Sequence, residues 1–221
     1  MFGVTESNKV DLSLFVKPEL RKVKSFDNLE IPYFLYTPKN GKAPYPTIIF
    51  FHGGPSGQSR PSFIAQFQYF LKAGFAIAAP NVRGSSGYGS YFLDADNYKK
   101  RMDAVKDGKA VIDQLVKDKI SLPDRFIAMG GSYGGFMTVA SMAEHADNYR
   151  CGVDTVGVVD FVNFLKNTKS YRQMLREVEY GPLSDEEFLK SVSPTYMTHK
   201  IKGKLFVAHG ANDPRVPLSD A

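Results

Sequence analysis

Five short runs of unbroken apolar residues punctuate the chain, each closed by turn-forming residues: Thr47 to Phe51, Phe75 to Ala79, Arg125 to Met129, Val153 to Val159 and Leu205 to Ala208. Continuous rather than alternating apolarity predicts strands buried on both faces, as in a parallel sheet. Between these runs the period changes. Ala104, Gly108, Val111, Ile112 and Leu115 recur at helical spacing and share one helix face. Ser62 to Leu71 and Tyr133 to Ala143 read as helices too. The alternation predicts a doubly wound, mostly parallel α/β sheet. Upstream, Val23 to Phe26 and Leu29 to Tyr36 flank Asp27-Asn28, the pattern of an antiparallel hairpin. The stretch from Asp160 to Ile201 is too long for a simple connection. Ser184-Asp185-Glu186-Glu187 opens a helix there with a capping-box pattern, and Pro194 lies beyond its end. This excursion is expected to lean over the rim of the sheet.

Polar residues sharpen the picture. In open α/β sheets, ligands bind beyond the carboxyl ends of the strands. Four of the five runs lead straight into polar or glycine-rich clusters at that end. The first enters His52-Gly53-Gly54-Pro55, and the second Asn81-Val82-Arg83-Gly84-Ser85-Ser86-Gly87-Tyr88-Gly89. The third enters Gly130-Gly131-Ser132-Tyr133-Gly134-Gly135, and the fifth His209-Gly210-Ala211-Asn212-Asp213-Pro214-Arg215-Val216-Pro217.

Composition narrows the function classes. A chain of 221 residues, 43% of them hydrophobic, can bury one substantial core. The formal net charge is +5, but the basic runs Lys99-Lys100-Arg101 and Lys200-Ile201-Lys202-Gly203-Lys204 are short and read as solvated faces, not a nucleic-acid surface. Cys151 is the only cysteine, which excludes an intrachain disulfide and a cysteine-ligated metal cluster. No run reaches the roughly 18 apolar residues of a membrane span. Met1-Phe2-Gly3-Val4-Thr5-Glu6 lacks the basic and apolar regions of a signal peptide. A cytoplasmic setting without nucleic-acid or membrane partners is the default expectation; oligomeric state is not legible.

The third cluster has the G-x-S-x-G form of the nucleophile elbow of α/β-hydrolases. Its glycines let a sharp turn lift the Ser132 hydroxyl out of the sheet between strand and helix. Acyl transfer needs a nucleophile, a base, an acid to orient the base, and donors for the oxyanion. Ser132 is the candidate nucleophile. The N–H of Tyr133 and an N–H of the His52-Gly53-Gly54 loop, that of Gly54, are the candidate oxyanion donors. Asp213, after the last strand, is the candidate acid, with Asp154 and Asp160 as weaker alternatives and Asp124 as a turn residue. All four histidines, His52, His145, His199 and His209, precede Asp213. None stands in the Ser…Asp…His order of the fold.

From about residue 20 to 221, and on all four clusters in this order, the chain resembles the prolyl oligopeptidase family of serine peptidases, with its acylaminoacyl-peptidase and dipeptidyl-peptidase-like branches. The run Arg83-Gly84-Ser85-Ser86-Gly87-Tyr88-Gly89 is the most discriminating. The resemblance implies an α/β-hydrolase fold that cleaves short peptides through an acyl-enzyme on Ser132, with Asp213 as triad acid and no metal or cofactor. It further implies that Arg215 contacts a substrate carbonyl and that Tyr133 walls the specificity pocket. It places the catalytic histidine beyond Ala221, and a β-propeller ahead of the domain. Residues 1–20 would be the exit from that propeller and 21–221 a hydrolase domain incomplete at its C-terminal end. Such a piece is expected to be inactive and poorly soluble. A carboxylesterase and a non-catalytic hydrolase-like binding module are the competing readings.

Overall fold

A computed structural model describes Ser13 and residues 15–221; most of the expected leader, with the Met1 to Glu6 opening, lies outside the described residues. Seven strands form one sheet: β1 (Glu19–Lys24), β2 (Glu30–Tyr36), β3 (Thr47–Phe51), β4 (Ala76–Pro80), β5 (Phe126–Gly131), β6 (Tyr149–Thr155) and β7 (Lys204–Ala208). Their spatial order is β1-β2-β4-β3-β5-β6-β7. β1 and β2 run antiparallel to each other, and β2 runs antiparallel to β4. From β4 onward every pairing is parallel.

The apolar runs of β3, β4 and β5 are unbroken because the sheet is covered there on both faces; the run of β7, expected to be buried on both faces, is instead exposed at Leu205, Phe206 and Val207, at the edge of the sheet. Within β3, Ile48 joins Tyr36, Phe67, Leu71, Ile77 and Ala79 beneath α1 (Ala65–Lys72). Its neighbour Ile49 faces the other way, into the larger core with Ala78, Ala128 and Phe136. That core is closed by α3 (Arg101–Lys117) and α4 (Tyr133–Glu144). The α3 face read from the sequence is buried as expected, and a Cβ on Gly108 would stand 3.1 Å from the Phe51 ring. An alanine there would require the Phe51 ring to give by a few tenths of an ångström. A four-residue α2 (Ser90–Leu93) precedes α3. No described helix is long and apolar enough to cross a membrane.

Three further expectations shift. The hairpin turn is not a two-residue Asp27-Asn28 loop. It runs from Ser25 to Leu29, closed by the Ser25 N–H to Leu29 carbonyl bond of 2.8 Å. The Asp27 carboxylate is drawn away to accept from Arg83 at 2.9 and 3.0 Å. β6 lies at Tyr149–Thr155 rather than Val153 to Val159. Val156 has a positive φ of 50° and ends the strand, and the apolar tail Val158-Val159 is a buried loop. A buried loop and a buried strand carry the same apolar signal. The excursion, finally, holds three helices: α5 (Phe161–Asn167), α6 (Ser170–Tyr180) and α7 (Glu186–Val192). Asp185, not Ser184, caps α7, its carboxylate accepting from the Phe188 N–H at 3.3 Å.

Candidate active site

β5 ends at Gly131 and α4 starts at Tyr133, so Ser132 alone makes the turn from strand to helix. Its backbone stands at φ 57°, ψ −120°. A side-chain-bearing residue in so sparse a region carries on the order of 1–3 kcal/mol of strain, held in place by its surroundings. Here the surroundings are β6 and the loop after it. The Ser132 N–H donates to the Thr155 carbonyl at 3.0 Å, and the Ser132 carbonyl accepts from the N–H groups of Gly135 and Val158 at 2.9 and 3.3 Å. Two flanking glycines permit the close approach. A Cβ on Gly134 would overlap the Phe51 carbonyl oxygen, and one on Gly130 would lie 2.7 Å from that same atom.

The opposite wall comes from the loop after β3. The Cβ position of Gly53 is 3.7 Å from the Ser132 Cβ. Gly54 lines, together with Ser132, a cleft of about 500 Å³. The first N–H groups of a helix have no intrahelical acceptor. Tyr133 stands at the first position of α4.

The glycine-rich cluster after β4 holds this loop. The Ser85 Oγ is 2.8 Å from the His52 Nε2, and the Ser86 N–H donates to the Gly57 carbonyl at 2.9 Å. The Asn81 side chain accepts from the Ser59 N–H at 2.7 Å and donates to the Ser59 carbonyl at 3.1 Å. Arg83 is buried and faces away from the cleft, donating to Asp107 at 2.8 and 2.9 Å. The cluster that marks the family resemblance is therefore scaffold for the loop after β3.

Arg215, on the loop after β7, lines the same cleft as Ser132 and Gly54. Asp213 does not line it. Its Oδ1 is turned into its own loop, accepting from the N–H groups of Arg215 and Val216, both at 2.8 Å. Those two bonds, Val216 first, hold the carboxyl below its ordinary range and keep it ionised. Tyr133 is a correction. Its side chain is fully buried and does not wall the pocket. The hydroxyl points under the elbow, where it donates to Asp96 Oδ2 at 3.0 Å and accepts from Arg101 Nη1 at 3.0 Å. Of the weaker acid candidates, Asp160 caps α5 through the N–H groups of Val162 and Asn163. Asp154 is buried against Gly135 and Gly157, and burial pushes its carboxyl up to about 6. Asp124 pairs with Arg150 near the surface.

None of the four histidines lines the cleft. The ring nitrogens of His52 are engaged, Nε2 with Ser85 and Nδ1 with the Gly53 carbonyl at 2.9 Å, and burial lowers its basicity. His209 donates from Nε2 to the Val216 carbonyl at 3.1 Å. His145 ends α4, and His199 is exposed in the turn after α7.

Sequence reasoning missed two features. Arg101, read as part of a solvated run, is fully buried. It binds Asp96, the Tyr133 hydroxyl and the Glu179 carbonyl, and its guanidinium lies over the rings of Tyr133 and Tyr180 at 5.2 and 4.8 Å. The signal was available: Arg101 stands three, four and seven residues before Ala104, Val105 and Gly108, on the buried face of α3. The second is α6, which supplies Arg172, Leu175, Arg176, Val178 and Glu179 to the cleft.

The parallel sheet, the strained serine after its central strand and the glycine loop beside it define an α/β-hydrolase. Comparison with known proteins narrows the class. Residues 61–221 match the prolyl oligopeptidase family of peptidases; the chain belongs to this family. Dipeptidyl aminopeptidase BIII of Pseudoxanthomonas mexicana is 29% identical over 214 residues, covering 90% of this chain and 31% of that protein. The crystal structure of puromycin hydrolase superposes with a TM-score of 0.89 at 23% identity, covering 97% of this chain and 33% of the other. An acylaminoacyl peptidase in complex with Z-Gly-Gly-Phe-chloromethyl ketone superposes at 0.85 with 24% identity, over 93% of this chain and 34% of that one. The chain thus spans about a third of the length of the relatives it matches.

Proposed function

We propose that this chain carries the nucleophile and oxyanion machinery of a serine peptidase acting on short peptides. The observation that carries it is the strained backbone of Ser132, which opens onto one cleft with Gly54 and Arg215. The Ser132 hydroxyl attacks the peptide carbonyl, and the N–H groups of Gly54 and Tyr133 receive the oxyanion. Each such donor is worth on the order of 3–4 kcal/mol in the barrier. Asp213 orients the base, its Oδ1 fixed by two backbone N–H groups and its Oδ2 left for an imidazole. With His52 and His209 committed to structural bonds and His145 and His199 elsewhere, we assign the base to a histidine outside these 221 residues. Arg215 contacts the substrate main chain. A single cysteine without a disulfide partner fits the cytoplasm, where we place the reaction.

The test is labelling by a fluorophosphonate together with hydrolysis of aminoacyl anilides and p-nitrophenyl esters by the protein at its full natural length. Label on Ser132 and anilide turnover, both lost in Ser132→Ala, are expected. Ester turnover without anilide turnover would make it an esterase; no label at all would make it a binding module.

A further inference from the structure

Beside the cleft lies a second hollow of about 260 Å³, and the two share Arg172, Arg176 and Arg215. Lys169 adds a fourth cation to the hollow, and no acidic residue lines it. Arg176 is spoken for: it pairs with Glu179 at 2.5 Å and lies over the Phe164 and Tyr180 rings. Lys169, Arg172 and Arg215 have no ion-pair partner among the described residues. Arg172 is the half-buried member of the three, and it faces both volumes. Nothing in the fold requires that charge there, since its side chain makes no described hydrogen bond.

We propose that the hollow is a carboxylate subsite, with Arg172 as its specificity-determining residue, and that the enzyme prefers peptides bearing a carboxylate near the scissile bond. This rests on the peptidase reading above. A peptide offers one kind of anion, from an acidic side chain or from its C-terminus. A guanidinium takes either through two parallel N–H donors. The half-buried setting makes the pairing stronger than on an open surface. Arg215, facing both volumes, leaves Arg172 as the guanidinium for the carboxylate when it engages the main chain.

The experiment measures binding, so it needs no turnover. Ser132→Ala protein at full length is titrated with fluorescein-labelled short peptides that differ only in Glu against Gln, each as free acid and as C-terminal amide. A charged contact of this kind should favour one carboxylate form by about tenfold or more at low salt. The Glu–Gln pair would identify a side-chain carboxylate, and the acid–amide pair a terminal one. Arg172→Gln should remove the preference and Lys72→Gln, remote on α1, should not. Should Arg172→Gln fail to fold, the preference in the parent must weaken as NaCl rises, because salt still screens a half-buried charge pair, though less than an exposed one. Equal affinity for all peptides, no binding, a preference indifferent to salt, or one that survives Arg172→Gln overturns the proposal. Fluorophosphonate labelling without carboxylate preference would sink the subsite alone. Carboxylate-selective binding without labelling would sink the peptidase reading alone.

Discussion

Replacing Arg101 by Met tests how the wall of the cleft is tied to the elbow. The side chain is fully buried, with contacts to Asp96, the Tyr133 hydroxyl and the Glu179 carbonyl. Met keeps the bulk and removes the charge. Asp96 would keep one donor, the Tyr133 hydroxyl, while its Oδ1 already lacks a partner. Burial already pushes the Asp96 carboxyl up, against the pull of Arg101 and Tyr133. Stranding one member of a buried pair typically costs about 3–5 kcal/mol. The carboxyl can escape by taking a proton. From an ordinary value of 3.8, protonation near pH 7.5 costs about 5 kcal/mol, which caps the penalty. The cap falls by about 1.4 kcal/mol for each pH unit of acidification. Urea unfolding followed by circular dichroism should therefore show Arg101→Met destabilised by about 3–5 kcal/mol near neutrality. The deficit should shrink towards pH 5.5, and adding Asp96→Asn should recover much of it and flatten its pH dependence. A cost under about 1 kcal/mol, or one indifferent to pH and to Asp96→Asn, would refute the reasoning.

Other expectations follow from single contacts. Gly134→Ala drives a methyl into the Phe51 carbonyl and should cost several kcal/mol or yield insoluble protein, whereas Gly210→Ala meets nothing within 4 Å and should stay within about 0.5 kcal/mol in the same melt. Asp154 has a native value near 6 against 3.8 for the free side chain, so the native state binds the extra proton and stability falls as pH rises between these values. Asp154→Asn should then gain up to about 3 kcal/mol on wild type above pH 6 and lose that advantage near pH 4, read by thermal unfolding across pH. No change in the difference between the two proteins with pH would contradict it.

The strands β3, β4 and β5, buried on both faces, were the most legible part of the fold. β3 lies where its apolar run predicts, and β5 extends its run by only two residues into the elbow. The turn at Ser132 and the glycine loop that shares its cleft were legible because a strained turn and a close approach demand glycine neighbours. What escaped were features that depend on partners far away in the chain. Arg101 is polar by type and buried by virtue of Asp96, Tyr133 and Tyr180. α6 escaped for the opposite reason. Tyr171, Met174, Leu175 and Val178 have helical spacing, yet all four are exposed and none marks the core. Tyr133 shows the limit of assigning a role by position, because its amide and its phenol lie in different environments. The apolar run of β7 misled for a similar reason: Phe206, on this outermost strand, is 63% exposed.

The backbone twist at Ser132 is held by bonds that reach across to the end of β6 and the loop beyond it. A hydroxyl positioned in this way cannot be assembled locally. Until the neighbouring strand has docked, residue 132 is free to relax into an ordinary conformation, and its hydroxyl loses the placement that the turn gives it. Reactivity towards an acylating reagent would then count natively folded molecules and ignore collapsed ones. Partial melting at that strand's carboxyl end would silence the serine while leaving most of the helical signal intact.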